Sequence, residues 1–103
     1  MIETQKEQER ALLVGVELQQ TDNFDMSMEE LASLAKTAGA LVKGVYTQKR
    51  EKYDSTTFVG SGKLDEIAQM VEADEIDTDI VNNRLTPRQN VNLEEILGVK
   101  VID

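Results

Sequence analysis

The chain has no cysteine, histidine or tryptophan and only one proline among its 103 residues. Without cysteine it can form neither a disulfide nor a thiolate metal site, and nothing indicates secretion. Without histidine, the commonest general base and metal ligand is missing. No apolar run approaches the roughly 20 residues of a membrane-spanning helix. We therefore expect a cytoplasmic domain without a membrane span and predict no metal site.

Acidic residues outnumber basic ones, with 20 Asp and Glu against 11 Lys and Arg and a formal net charge of −9. Taken over the whole chain, this charge argues against binding to nucleic acid. The charge is unevenly placed, however. Residues 46–63 carry four basic and two acidic residues, whereas residues 64–79 carry seven acidic residues and no basic one. One basic segment therefore interrupts an otherwise acidic chain.

The hydrophobic pattern alternates between strand-like and helical spacing. Residues 11–18 are a nearly continuous apolar run, which is typical of a strand buried on both faces. Three more strands are predicted at residues 40–46, 79–83 and 99–102, with a helix in each of the three gaps. We therefore predict an α/β fold with a four-stranded, mainly parallel sheet, βαβαβαβ order and helices on both faces. The strand order 2-1-3-4 is expected by analogy with doubly wound folds.

Local signals place the helix ends. Ser27 and Glu30 form a capping-box pattern after a polar loop over residues 19–26, and Thr86, Pro87 and Gln89 form another. Gly39 and Gly98 are predicted helix stops. Residues 1–10 are expected to be a flexible lead-in to a single domain over residues 11–103. The predicted inward-facing residues are Leu31, Leu34, Ala35 and Ala38 in the first helix, Leu64, Ile67, Ala68 and Val71 in the second, and Leu93, Ile96 and Leu97 in the third.

A glycine-rich turn opens the second helix. Gly60 and Gly62 allow a sharp turn whose N–H groups lie at the positive end of a helix, which favours an anion, and Lys63 follows them. The segment is not a P-loop, because Thr57 stands where the first glycine is required and Leu64 replaces the Ser or Thr. The alternative is that the glycines only make the turn and start the helix.

Ligands of parallel sheets bind where the strands end and the helices begin. Basic residues gather in these segments, in the long loop over residues 48–57 and after the third strand, which suits phosphate or an RNA backbone. Tyr53 and Phe58 are expected to stack on an unpaired base. The alternative is that these cations only offset the acidic helix and solvate loops. The predicted RNA- or anion-binding residues are Lys49, Arg50, Lys52, Gly60, Ser61, Gly62, Lys63, Arg84 and Arg88.

No catalytic residue is predicted. The carboxylates occur as adjacent pairs on helices, at residues 29–30, 65–66 and 94–95, and adjacent helical residues point in different directions. Ser61 has no base partner. The chain by itself is therefore not expected to be an enzyme.

Several motifs carry a family resemblance. They are Arg-Ala-Leu-Leu-Val-Gly-Val at residues 10–16, Gln-Lys-Arg at 48–50, Phe-Val-Gly-Ser-Gly-Lys-Leu-Asp-Glu at 58–66, Asn-Leu-Glu-Glu at 92–95 and Gly-Val-Lys-Val-Ile-Asp at 98–103. In order and spacing they resemble the N-terminal domain of the HflX family of ribosome-associated GTPases. The sequence departs from that family at residues 82–84, Asn-Asn-Arg, where acidic residues are more usual.

The resemblance implies that this chain is the N-terminal fragment of a longer GTPase that binds the large ribosomal subunit and its RNA and splits or rescues stalled ribosomes under stress. GTP and Mg²⁺ would belong to the GTPase domain beyond this chain, so no cofactor is expected here. Two other functions stay open. One is a domain that binds a nucleotide or phosphate ligand itself, and the other is an interaction module that regulates the linked GTPase domain through the acidic residues 65–79.

Overall fold

A computed structural model describes residues 8–103, in which four strands alternate with three helices. No helix in this part of the chain is long and apolar enough to cross a membrane. Residues 1–7 of the expected lead-in lie outside the described residues, and Arg10 is the first residue of β1. The elements are β1 (Arg10–Glu17), α1 (Phe24–Thr37), β2 (Leu41–Lys49), α2 (Ser61–Ala73), β3 (Thr78–Val81), α3 (Pro87–Leu97) and β4 (Lys100–Ile102).

The four strands form one sheet in the order β2-β1-β3-β4, and every neighbouring pair is parallel. This confirms the predicted α/β fold and the expected strand order. β1 is a central strand, which explains its continuous apolar run, because residues 11–16 are covered on both faces. β2 and β4 are the two edges.

The core has one layer on each face of the sheet, because successive side chains of β1 point to opposite faces. Leu12, Val14 and Val16 belong to a cluster that includes the buried residues of α2 and α3. Ala11 and Leu13 belong to a smaller cluster with α1. The helices therefore lie on both faces of the sheet, α2 and α3 on one face and α1 on the other, as predicted.

α1 does not begin at the predicted capping box. It begins at Phe24, after Asn23 in the left-handed region at φ 54°, and no side chain caps it. Ser27 lies inside the helix, where its hydroxyl accepts a hydrogen bond of 3.1 Å from the side-chain amide of Asn82. The predicted polar loop over residues 19–26 is therefore shorter, because burial of Phe24 against the sheet draws its segment into the helix.

The capping pattern of α3 is confirmed. The Thr86 hydroxyl accepts from the Gln89 N–H at 3.1 Å, and the Thr86 N–H donates to the Gln89 side-chain oxygen at 3.0 Å. Pro87 opens the helix, and Gly98 ends it in the left-handed region at φ 70°.

The predicted inward faces are only partly correct. Leu64, Ile67 and Val71 of α2 are buried, as are Leu93 and Leu97 of α3. Three predicted inward residues are wrong: Leu34 is 64% exposed, Ile96 is 51% exposed, and the α1 C-cap Ala38 is also exposed. Most strand limits differ from the prediction by one residue, and the ends of β2 and β3 differ by more. β2 continues to Lys49 because β1 pairs with it along its whole length, and β3 stops at Val81 instead of residue 83.

Candidate functional site

The carboxyl ends of all four parallel strands lie at one edge of the sheet, together with the N-termini of the helices that follow. We call this edge, with residues 49–63 and 82–88, the carboxyl rim. Only β1 separates β2 from β3, but β2 ends beside Glu17 whereas β3 ends beside Val14, so the two strand ends are about 14 Å apart. All nine residues predicted to bind RNA or an anion lie in these two segments.

The loop that leaves β2 is organised by Asp54. One carboxylate oxygen of Asp54 accepts hydrogen bonds from the N–H groups of Thr56 at 2.8 Å and Thr57 at 2.9 Å, and from the Thr57 hydroxyl at 3.3 Å. The pKa of Asp54 lies below its usual value mainly because of the hydrogen bond from the Thr57 N–H, and next because of the one from the Thr56 N–H. These bonds favour the charged form, so the turn is tightest when Asp54 is ionised.

Two side chains of α3 hold the same loop against the rim. The side-chain amide of Gln89 donates to the Asp54 main-chain oxygen at 2.7 Å, and that of Asn92 donates to the Thr56 oxygen at 3.0 Å. The Tyr53 hydroxyl lies 3.2 Å from the Asn83 side-chain oxygen and can donate to it. The loop therefore crosses the rim from the end of β2 to the segment after β3.

The prediction that Phe58 stacks on a base is wrong, and for the half-buried Tyr53 it stays a prediction. Phe58 is 0% exposed, and its ring stacks on Tyr53 with the centroids 4.9 Å apart. Phe58 has φ 68°, and the Val59 N–H donates to the Thr57 oxygen at 2.6 Å, which closes a tight three-residue turn. The rings belong to the core because this turn points Phe58 inward just before α2 begins.

The N-terminus of α2 is shaped by Gly60. Its N–H donates to the side-chain oxygen of Gln48 at 2.9 Å, and a Cβ at this position would collide with the guanidinium of Arg50. A larger residue here would have to displace the end of the Arg50 side chain. Within residues 8–103 no side chain caps this helix. The N–H groups of Ser61, Gly62 and Lys63 have no partner within the helix, as is general for a first turn.

The cations of the rim differ in how they are held. Arg50 donates from its main chain to the Glu17 oxygen at 3.0 Å and from its side chain to the Lys52 oxygen at 3.1 Å. Lys63 pairs with Glu66 at 3.3 Å across one helical turn. That pair is partly exposed, so it contributes at most about 1 kcal/mol, and Lys63 can exchange it for another anion.

The Arg50 side chain lies against both Lys52 and Gly60. The other predicted residues of this segment, Lys49, Ser61, Gly62 and Lys63, adjoin them along the chain. Arg84 and Arg88 are exposed on the same edge, after β3. No ion pair joins either arginine to a carboxylate among the described residues. The rim also carries carboxylates, because Asp103 accepts from the Leu85 N–H at 2.7 Å and Glu51 lies beside Arg50.

The roles of four residues that build the site were not predicted. They are Gln48, which was expected only to lie at this edge, Asp54, Gln89 in its bond to the loop, and Asn92. The run Asp-Ser-Thr-Thr at residues 54–57 is a signal for Asp54, since Asp followed by Ser or Thr forms such turns. The other three bind main-chain atoms distant in sequence, for which the sequence carries no local signal.

Comparison with known proteins identifies the family. The sequence profile described as "GTP-binding GTPase N-terminal" matches residues 25–103, most of the chain. The chain belongs to this family, as an HflX-type N-terminal domain. Over 100 residues, 96% of its length, the domain is 44% identical to the GTPase HflX of Alkalihalophilus pseudofirmus and spans 24% of that protein. It is 34% identical over 95 residues to the GTPase HflX of Escherichia coli, covering 92% of this chain and 22% of the relative.

The HflX-type domain thus spans about a quarter of the length of the curated relatives it matches. Among solved structures it is similar to a mutation variant of SsGBP, with a TM-score of 0.67 and 24% identity over 92% of this chain and 28% of that one. At this identity the likeness supports the fold alone.

Proposed function

We propose that this HflX-type domain binds the large ribosomal subunit by placing its carboxyl rim against ribosomal RNA, as part of a GTPase that splits or rescues stalled ribosomes. The observation that carries the proposal is the concentration of cations at one edge of an acidic domain. Each cation that meets a phosphate releases condensed counterions, which favours binding. The six proposed contacts are Lys49, Arg50, Lys52, Lys63, Arg84 and Arg88.

The acidic residues that follow α2 lie away from the rim, whereas Asp65 and Glu66 lie near its rim end. α2 has 13 residues and is about 20 Å long, and it runs away from the rim. Asp74, Glu75 and Asp77 follow its C-terminal end and lie toward the opposite edge of the sheet. At physiological salt, charges interact over about 8 Å, so those carboxylates repel RNA at the rim only weakly.

GTP and Mg²⁺ would bind to the GTPase domain of the longer protein, which we place in the cytoplasm with the ribosome. This domain would orient that GTPase domain on the subunit. Regulation of the GTPase domain by the acidic residues 65–79 stays a prediction without a specific contact to favour it.

Two matched triple variants test the proposal. Lys49, Arg50 and Lys52 lie on the rim, whereas Lys36, Lys43 and Lys100 lie toward the opposite edge, at the end of α1, early in β2 and at the start of β4. Changing either set to Ala removes the same charge. We expect the rim variant to bind isolated large subunits about tenfold or more weakly, and the control variant to bind like the parent. Equal losses of affinity in the two variants would mean that only the total charge matters, and would contradict binding at the carboxyl rim.

A second candidate function rests on the uncapped N-terminus of α2. Three N–H groups lie at this helix end, the Arg50 guanidinium lies beside Gly60, and Lys63 is in the same helical turn. Groups of this kind bind phosphate. In this alternative the domain binds a nucleotide or other phosphorylated small molecule itself. Calorimetric titration with GTP, ATP and inorganic phosphate tests it, and an absence of heat at millimolar ligand would exclude it.

A further inference from the structure

Asp79 is a carboxylic acid buried in the middle of the sheet. It is 1% exposed, and within residues 8–103 its Oδ1 atom has no hydrogen-bond partner. It pairs in register with Leu12 of β1 on one side and Val101 of β4 on the other. Because side chains alternate along a strand, Asp79 points to the same face as Val81, into the apolar layer beneath α2 and α3.

Among residues 8–103, no ion pair compensates Asp79. On the same face of β1, Arg10 is engaged elsewhere, since its side chain donates to the Asp74 oxygen at 2.8 Å. Asp77 accepts from the Arg10 N–H, and Glu94 of α3 accepts from the Val101 N–H. α2 and α3 contribute apolar side chains to this layer. Burial alone raises the pKa of Asp79 from 3.8 to about 7.

β4 is the strand that pairs with β3 beside this carboxyl group on the outer side. It has three residues and is an edge strand, and α3 holds it through Val101. The Asn90 side chain donates to the Val101 oxygen at 3.1 Å, and Glu94 accepts from the Val101 N–H at 3.1 Å. α3 and β4 therefore form one unit, and this unit lies directly beside Asp79.

We propose that Asp79 is a proton-linked latch: its neutral form stays buried, and its ionisation releases the α3–β4 unit from β3 so that water can reach the carboxylate. A buried carboxylate without a partner is strongly unfavourable, whereas the neutral acid is tolerated. Opening the edge of the sheet hydrates the charge without disrupting β1 and β2. The carboxyl rim includes the start of α3, so the protonation state of Asp79 would also affect the conformation of the rim.

The direction of the pH effect follows from the two protonation equilibria. The closed form holds the proton up to about pH 7, whereas the hydrated acid of the open form loses it near pH 3.8. Closing is therefore most favourable below pH 3.8 and becomes progressively less favourable as the pH rises toward 7. Between these limits the opening constant rises by up to about tenfold per pH unit and then levels off.

Native-state hydrogen exchange on this chain between pH 5 and 8, corrected for base catalysis, tests the latch. We expect the opening of residues 100–102 to rise severalfold to about tenfold per pH unit up to pH 7, while residues 11–16 change much less. Asp79→Asn, which is neutral and of equal size, should abolish the slope. Asp65→Asn removes an exposed carboxylate of α2 and should leave the slope unchanged.

Two results would overturn the latch. One is an unchanged slope in Asp79→Asn, and the other is opening that is uniform over β1 and β4. If Asp79→Asn does not fold, nuclear magnetic resonance can follow the chemical shift of the Asp79 carboxyl carbon against pH in the unmodified chain. A titration midpoint near 7 supports the latch, and a midpoint near 3.8 contradicts it.

Discussion

The side-chain amide of Gln89 donates a hydrogen bond of 2.7 Å to the main-chain oxygen of Asp54, which lies 35 residues earlier in the chain. The oxygen of the same side chain accepts from the Thr86 N–H, so one residue caps α3 and anchors the loop that crosses the carboxyl rim. Gln89 is only 6% exposed, so bulk water competes little for these bonds. The start of α3 and the rim are therefore one connected polar unit.

Replacement of Gln89 by Ala should destabilise the domain. The Asp54 oxygen and the Thr86 N–H both lose their partner, so we expect the free energy of unfolding in urea to fall by about 1–3 kcal/mol. Gln69→Ala, on the exposed face of α2, is the control and should change it by less than about 0.5 kcal/mol. If the two variants unfold at the same urea concentration, Gln89 does not connect the cap and the loop.

Asp54 should make stability depend on acid pH. Its pKa is lowered in the folded state, so its contribution is present above about pH 3.8 and is lost as the pH falls through the lower, folded value. We expect Asp54→Asn to be less stable than the parent at pH 6, with the gap narrowing below pH 4. Thermal unfolding measured from pH 6 to pH 2.5 checks this, and a constant gap would show that the charge of Asp54 is not involved.

Two glycines should respond in opposite ways to Ala. A Cβ on Gly15 would lie 2.6 Å from the Met28 sulfur and 3.0 Å from the Phe24 ring, so Gly15→Ala should cost about 1–3 kcal/mol through overpacking. Gly62 lies in the first turn of α2 with open space around it. Gly62→Ala should therefore stabilise the domain by up to about 1 kcal/mol. Urea unfolding of both variants measures the contrast, and a loss of stability at Gly62 would contradict the open space described there.

The parts of the fold that could be predicted are those with a signal in neighbouring residues. The apolar run of β1, the Thr-Pro-x-Gln start of α3 and Gly98 each carry such a signal, and the strand order follows from short right-handed connections. The capping-box pattern at Ser27 predicts the wrong start for α1, because Ser-x-x-Glu also occurs inside helices. There the burial of Phe24 and Met28 beside Gly15, a tertiary effect, decides where α1 begins.

The candidate site was predictable in position but not in construction. The parallel direction of the strands places residues 49–63 and 82–88 at one edge, independently of the contacts that their side chains make. The partners of Gln48, Gln89 and Asn92 are main-chain atoms 12 or more residues away, and composition does not specify such pairs. The sequence does not predict the burial of Phe58, because the left-handed backbone that turns its ring inward leaves no trace in the sequence.

The salt dependence of binding to the large ribosomal subunit tests the central claim most directly. The logarithm of the affinity should fall linearly with the logarithm of salt concentration, by about 0.7 to 0.9 for each phosphate neutralised. We predict that changing Lys49, Arg50 and Lys52 to Ala makes this slope shallower by about 2 to 3, whereas changing Lys36, Lys43 and Lys100 leaves it unaltered. A slope near zero for the parent chain, or one that both triple variants share, would contradict RNA binding at the carboxyl rim.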